Sequence, residues 1–276
     1  VGSTESRETG AMDFGPEAAI DYDDLLLDFF DHALKGIDNR FATEPPVRYF
    51  VMGANRWEET ASWPPADIRR LPLYLASTAN DALLRREASP PDAPRSSTFV
   101  ADPEDPVVDP YASFGPRDYR QLAERDDLLT FDSEPLAEDL SIAGAIEAVV
   151  YASCDCRDFD LWVRVLDVHP DGRAINLMGP GNDVLRASYR DPSAGRQLLT
   201  PGQVYELRLS NLLTSNQFAP GHRVRVQVSA SFAPHFSRNL QTGESEIVAS
   251  DSRPARITIH HGREYPSRIS LPVREI

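Results

Sequence analysis

The sequence predicts a mainly β protein, an antiparallel β-sandwich with one helix ahead of it, and three features carry that prediction. Arg223–Ala230 alternates strictly, with Val224, Val226, Val228 and Ala230 on one side and Arg223, Arg225, Gln227 and Ser229 on the other. That is a period of two, and it predicts a strand with its polar face outward. Similar apolar runs (Val47–Met52, Ala145–Tyr151, Phe159–Val168, Val204–Leu209) recur with turn signals between them, the spacing of a sandwich. Helical periodicity is clear in a single place, near the start.

That helix is predicted over Asp21–Lys35. Asp21, Asp23 and Asp24 put carboxylates at its N-terminus, and Gly36 follows Lys35 as a C-cap. Leu25, Leu26, Phe29, Phe30, Ala33 and Leu34 fall at i, i+1, i+4, i+5, i+8 and i+9, one broad apolar face. A further helical turn is expected near Asp81–Glu87. Seven prolines between Pro90 and Pro116 predict a long ordered loop across the molecule. His169-Pro170-Asp171-Gly172 reads as a turn, and Ile257 and Ile259 answer Ile269, Leu271 and Val273 across a turn around Gly262. Trp57 and Trp63 are expected to pack the junction between helix and sandwich.

Composition excludes some classes of function. Forty-three acidic against twenty-eight basic residues give a formal net charge of −15. Such a surface repels phosphate backbones, and no basic patch offsets it, so no nucleic-acid partner is expected. The longest apolar runs fall short of the roughly 20 residues that cross a bilayer, so no membrane partner is expected. The opening residues, VGSTESRETG, show no signal-peptide pattern. Cys154 and Cys156 are the only cysteines. An isolated C-x-C lacks the second pair of a zinc site and closes too small a loop for an ordinary disulfide. Read as reduced thiols, they favour a cytoplasmic location.

Five segments in order resemble the CocE/NonD hydrolases, a family related to X-Pro dipeptidyl-peptidases. They are LLLDFFDHALKG (25–36), VRYFVMGANRWEETASWPP (47–65), SEPLAEDLSIAGAIEAVVYASCDCRDFDLWVRVLDVHPDGRAINL (133–177), TSNQFAPGHRVRVQVSASFAPHFSRNLQTG (214–243) and YPSRISLPV (265–273). The resemblance implies that residues 1–45 finish an α/β-hydrolase domain and that 46–276 form a jelly-roll sandwich bracing it. It implies an upstream catalytic α/β-hydrolase domain as partner, a small-molecule ester or amide as substrate, and no cofactor. Two places depart from the family pattern: Ser229-Ala230-Ser231-Phe232-Ala233-Pro234 and Tyr265-Pro266-Ser267.

The family's reaction needs a serine on a sharp strand-to-helix turn, a histidine base and an orienting carboxylate, and the turn is marked G-x-S-x-G. No serine here has both glycines: Ser113 has only Gly115, and Ser245 has only Gly243. No catalytic residue is therefore assigned. His32, His169, His222, His235, His260 and His261 are read as surface or structural residues, and none has the i, i+4 spacing of a helical metal site. No metal ligand is assigned either; Asp155, Asp158 and Asp160 read as a solvated turn. The resemblance leaves Tyr111 and Phe114, in the proline-rich crossing, as substrate-binding candidates that would shape an acyl pocket between domains. The rival expectation is a free-standing sandwich that binds a carbohydrate or a protein. Against it stands the broad apolar helix face.

Overall fold

The structure, a computed structural model, describes residues 6–78, 82–88, 96–111, 114–245 and 247–275. It opens with a small hairpin, β1 (Glu8–Thr9) and β2 (Met12–Asp13), and a single α-helix, α1 (Tyr22–Lys35). Strands follow in chain order: β3 (Val47–Val51), β4 (Arg56–Thr60), β5 (Ile68–Ser77), β6 (Ala82–Arg85), β7 (Ser96–Ala101) and β8 (Leu129–Asp132). The rest are β9 (Leu140–Cys154), β10 (Asp160–Val168), β11 (Ala174–Asn176), β12 (Val184–Arg186), β13 (Tyr205–Phe218), β14 (Arg223–Ser229), β15 (Ala255–His260) and β16 (Arg268–Arg274).

Helix α1 forms where its caps specify. The Asp21 carboxylate accepts from the Asp23 and Asp24 amides, satisfying two of the donors that a helix start leaves free. Gly36 closes the far end at φ 68°, and its amide and that of Ile37 return to the carbonyls of His32 and Asp31.

The sandwich is one continuous hydrogen-bonded ladder folded over on itself, in the order β11-β10-β14-β8-β6-β5-β16-β9-β15-β7, with β12 on β10 and β13 on β9. Its pairings are antiparallel except for a short parallel contact of β6 with β8. The inner faces meet in one core, where Phe131, Val163, Val165 and Val226 from one side face Ile142, Ile146, Leu207 and Ile257 from the other. Mainly β with a helix in front is thus what the alternation predicted.

The structure also corrects the sequence reading at several elements. Residues 82–85 form strand β6, not a helical turn, because Leu83 and Leu84 pair along β5; Asp81 lies outside the described residues. The proline-rich stretch contains strand β7, which pairs with β15 over its whole length. Strands β15 and β16 do not pair with one another. Both lie along the same edge of β9, β15 against Tyr151–Cys154 and β16 against Ile142–Val149. A 15-residue strand has room for two short partners end to end. Gln227 and Ser229 are buried, not solvent-facing, because Val107, Tyr119, Leu122 and Leu128 pack over the outside of β10 and β14. Asp158 and Asp160 are buried too. Asp158 accepts from the Ser188 amide and hydroxyl, and Asp160 pairs with Arg186 at 2.8 Å. Trp57 does lie at that junction: it lines a groove with Leu25 of α1, and its indole N–H donates to the Glu17 carbonyl ahead of the helix. Trp63 turns instead to Tyr49, with ring centroids 5.0 Å apart.

Ser267 is the splice between β15 and β16. Its hydroxyl oxygen accepts from the Tyr151 amide at 2.8 Å while its O–H donates to the His260 carbonyl, and the residue is fully buried. Replacing Ser267→Ala leaves both backbone groups unpaired, and urea denaturation should show a loss of about 1–3 kcal/mol. A change within about 0.5 kcal/mol, the usual range of surface substitutions, would show that the splice is not structural.

Candidate functional site

Two surfaces stand out: a ladder of rings on the outside of the sandwich, and the outer face of α1. The ladder begins in the interior. Trp162 and Arg164 both point outward from β10, yet both are fully buried. The Arg164 guanidinium pairs with the equally buried Asp183 at 3.0 Å, and Asp183 also accepts from the Trp162 indole at 3.0 Å. Arg164 Nε and Nη1 have no hydrogen-bond partner. Their charge lies instead against aromatic faces, 4.2 Å from the Phe232 centroid, 4.9 Å from Trp162 and 5.1 Å from Tyr119, a cation–π arrangement.

From there the rings step toward solvent. Trp162 stacks on Phe232 (4.7 Å, 14°), Phe232 on His235 (5.2 Å, 23°), and Phe114 lies over His235 at 5.6 Å. Phe114 is 73% exposed, so the ladder ends in an open apolar ring. Tyr111 stands beside it, edge-on to Tyr119 at 5.3 Å. Its hydroxyl donates to the Asp118 carbonyl at 2.5 Å.

The crossing that holds Tyr111 and Phe114 is tied down on both sides. The Asp109 amide donates to the Ala233 carbonyl, and the Ala233 amide to the Val107 carbonyl. Farther along, the Tyr119 amide donates to the Ala174 carbonyl, and the Arg117 amide to the Asn176 side chain. The Asp109 carboxylate takes a 2.6 Å contact from His235 Nε2 and a 3.2 Å bond from the Tyr119 hydroxyl. Burial, with Asp109 close by, pushes the Tyr119 phenol up to about 12. Burial, then the nearby Asp118, also raises Tyr111. Both rings stay neutral as hydrogen-bond donors.

Sequence spacing could not show these groupings. Asp109, Arg164, Asp183 and His235 come from four separated segments. Strand register also brings Asp167, His169 and His222 together, with one donor atom of each within 4.8 Å of the others. No spacing in the chain marks that group, because the register of β14 with β10 brings its members together.

Serine–histidine contacts exist as well, but not as triads. His261 Nε2 lies 2.9 Å from the Ser97 hydroxyl, while its Nδ1 is buried without a partner. His260 Nε2 lies 2.9 Å from Ser153. Burial, then the neighbouring His260, pushes the His261 imidazole down to about 4, so it is a poor base at neutral pH. Among the described residues, the histidines that meet carboxylates are His222 with Asp167 and His235 with Asp109, and neither contacts a serine hydroxyl. Ser113 lies outside the described residues, and Ser245 opens a turn, with the Val248 and Ala249 amides returning to its carbonyl.

The second surface is α1. No α1 residue is buried. The side toward β3 and β4 borders a groove of about 860 Å³ lined by Leu25, Asp28, Arg40, Phe41, Pro46 and Trp57. On the opposite side Leu27, Phe30, Leu34 and Ile37 recur at three- and four-residue steps, with Leu27 61% and Leu34 77% exposed. No described helix is long and apolar enough to cross a membrane.

A sandwich with no serine–histidine–carboxylate triad among its described residues fits a non-catalytic domain. The chain belongs to the X-Pro dipeptidyl-peptidase C-terminal non-catalytic domain family, which matches residues 39–270. It is 35% identical over 263 residues to a cocaine esterase of Rhodococcus sp. (strain MB1 Bresler), covering 89% of this chain and 44% of that protein. Among solved structures it is similar to an aminopeptidase from the marine sediment archaeon Thaumarchaeota archaeon, with a TM-score of 0.85 at 30% identity over 98% of this chain and 47% of the other. An α-amino acid ester hydrolase gives a TM-score of 0.79 at 30% identity, covering 90% and 44%. The chain spans less than half the length of these relatives.

Two outcomes follow from the buried groups. Asp183→Ala strands the Arg164 charge, and denaturant unfolding should show a loss of about 3–5 kcal/mol; Asp183→Asn should cost less. His261 takes up a proton on unfolding between about pH 6.5 and pH 4, because its folded pKa lies below the ordinary value. Stability is therefore full above about pH 6.5 and falls by up to about 3 kcal/mol as the pH drops to about 4. His261→Gln should flatten that slope in urea titrations at pH 7 and pH 4.5, and an unchanged slope would assign the acid sensitivity to other groups.

Proposed function

We propose that this chain is the C-terminal part of a serine hydrolase acting on small esters or amides. Residues 1–45 would complete its α/β-hydrolase domain, and residues 46–276 would brace that domain and close one wall of its pocket. The observation that carries the reading is α1: a capped amphipathic helix whose outer row, Leu27, Phe30 and Leu34 with Ile37 beyond its end, is exposed among the described residues. An exposed row of Leu27, Phe30, Leu34 and Ile37 is costly in water at about 25 cal/mol per Å². A catalytic domain N-terminal to it, in the same polypeptide, is the natural cover. The family's description as non-catalytic and the esterase names of relatives more than twice as long support this.

Hydrolysis would then proceed by acylation of a serine and attack of water on the acyl-enzyme, with the triad and oxyanion hole on the catalytic domain. This chain would contribute shape. Phe114 and Tyr111, held rigidly by the ring ladder and by the Asp118 carbonyl, would present apolar surface to the acyl group and exclude water from it.

The isolated chain should show no turnover of p-nitrophenyl esters that a serine-directed inhibitor abolishes, while the whole gene product should. Inhibitor-sensitive turnover by the chain alone would overturn the proposal. So would a gene product that lacks hydrolysis and instead binds glycans on an array. Within the whole enzyme, Phe114→Ala should change the ratio of kcat/KM for bulky and small acyl esters by about 10-fold, with the unfolding midpoint unchanged. An unaltered ratio would place Phe114 outside the pocket.

A further inference from the structure

We propose that Asp167, His169 and His222 form a binding site for a divalent transition-metal ion, best suited to Zn²⁺, at one end of the sandwich. The three donors come from two turns that lie side by side. Asp167 is near the end of β10, and His169 opens the turn into β11. His222 closes the turn from β13 into β14. The register Asp167↔Val224 and Val168↔Arg223 locks these strands together, which fixes Asp167 and holds the turns that carry His169 and His222 side by side.

Local hydrogen bonds hold each turn. The His169 amide donates to the Arg173 carbonyl, the Gly172 amide returns to the His169 carbonyl, and the His222 amide donates to the Ala219 carbonyl. The turns also touch: a Cβ at Gly221, where φ is 83°, would come within 3.5 Å of the Pro170 ring.

The donor set fits a borderline ion. His222 Nδ1 already faces Asp167 Oδ1 at 2.7 Å, and the His169 and His222 rings lie 4.3 Å apart between centroids. Two imidazole nitrogens and one carboxylate oxygen suit Zn²⁺, Co²⁺, Ni²⁺ or Cu²⁺ far better than Mg²⁺ or Ca²⁺. Ligand bonds of about 2.0–2.2 Å require donors roughly 3.4 Å apart in a tetrahedron. Side-chain rotations that part the Asp167–His222 contact slightly and bring in His169 supply that spacing. The fourth position would be left to water.

The surroundings support the carboxylate. Asp167 is buried, and its second oxygen faces the Asn216 amide at 3.4 Å, the outer-shell contact that orients a ligating carboxylate. The positive group facing the donors is Arg173, whose Nη2 lies 3.5 Å from His169 Nδ1. Its charge is engaged by Asp171 at 2.7 Å. On binding, the ion takes the place of the contact between His222 Nδ1 and Asp167 Oδ1, with the imidazole N–H carried on Nε2.

The test uses the whole gene product, stripped with EDTA and titrated with Co²⁺ by calorimetry and visible absorption, then with Zn²⁺ in competition. Wild type should bind one Co²⁺ more per chain than His169→Ala, with tetrahedral d–d bands that Zn²⁺ bleaches. His169→Ala should weaken that site at least 10-fold while the metal-free melting temperature stays put. His222→Gln should remove the same bands, and Zn²⁺ should raise the melting temperature of wild type alone. Absence of Co²⁺ binding below millimolar concentration, or identical isotherms for wild type and His169→Ala, would overturn the proposal.

Discussion

A buried guanidinium organises the outer half of this domain. Arg164 projects from the middle of β10 to the side where solvent would be expected, and it is nonetheless sealed from water. An uncompensated charge there would be prohibitive. Asp183 neutralises it, the Trp162 indole shares that carboxylate, and three aromatic rings cover the nitrogens that lack acceptors. Asp183, Phe232 and Tyr119 sit on three different segments, all apart from β10. The residues before β12, the Phe232 loop after β14 and the crossing that contains Tyr119 are therefore pinned to one point. The outer face of the sheet becomes a second core, with Val107, Leu122, Leu128, Leu166 and Phe232 in it.

The same constraint reaches the surface. Because Phe232 is fixed against Trp162 and Arg164, His235 stacks in a defined place, and Phe114 caps the stack. An exposed aromatic ring on a free loop would sample many positions and offer little selectivity. One seated on a rigid ladder presents a preformed surface at low entropic cost. Helix α1 shows the opposite economy. Its caps and salt bridges are local, Asp31 with Lys35 at i, i+4 and Asp28 with Arg40, while its outer apolar side is exposed among the described residues. Local chemistry shapes the helix; its exposed apolar row is what the proposed catalytic domain would cover.

Much of this was legible in the residues themselves. Asp21 and Gly36 bracket α1 because capping is a short-range effect. The alternation in β14 marks the inward valines because side chains on a strand point to opposite faces. The reading failed where burial was decided from afar. Gln227 and Ser229 look like a solvent face until the segments around Val107 and Leu122 lie over that side of the sheet. Asp158 and Asp160 look like a wet turn until Ser188 and Arg186 reach them. Ile257 and Ile269 look like a hairpin until β9 takes both strands on one edge. Tyr111 and Phe114 were named from a family resemblance; their ring partners and anchoring could not be read from it.

The sequence by itself determined the fold class, the helix and its limits, the inward face of the main strands and the family, since each depends on neighbours a few residues apart or on an ordered set of motifs. Only the tertiary structure decided which polar groups are buried and whom they meet. Asp183 lies 19 residues from Arg164, His222 lies 55 from Asp167, and Asp109 lies 126 from His235. Contacts at those separations arise from sheet register and loop docking, and they leave no period or spacing in the chain.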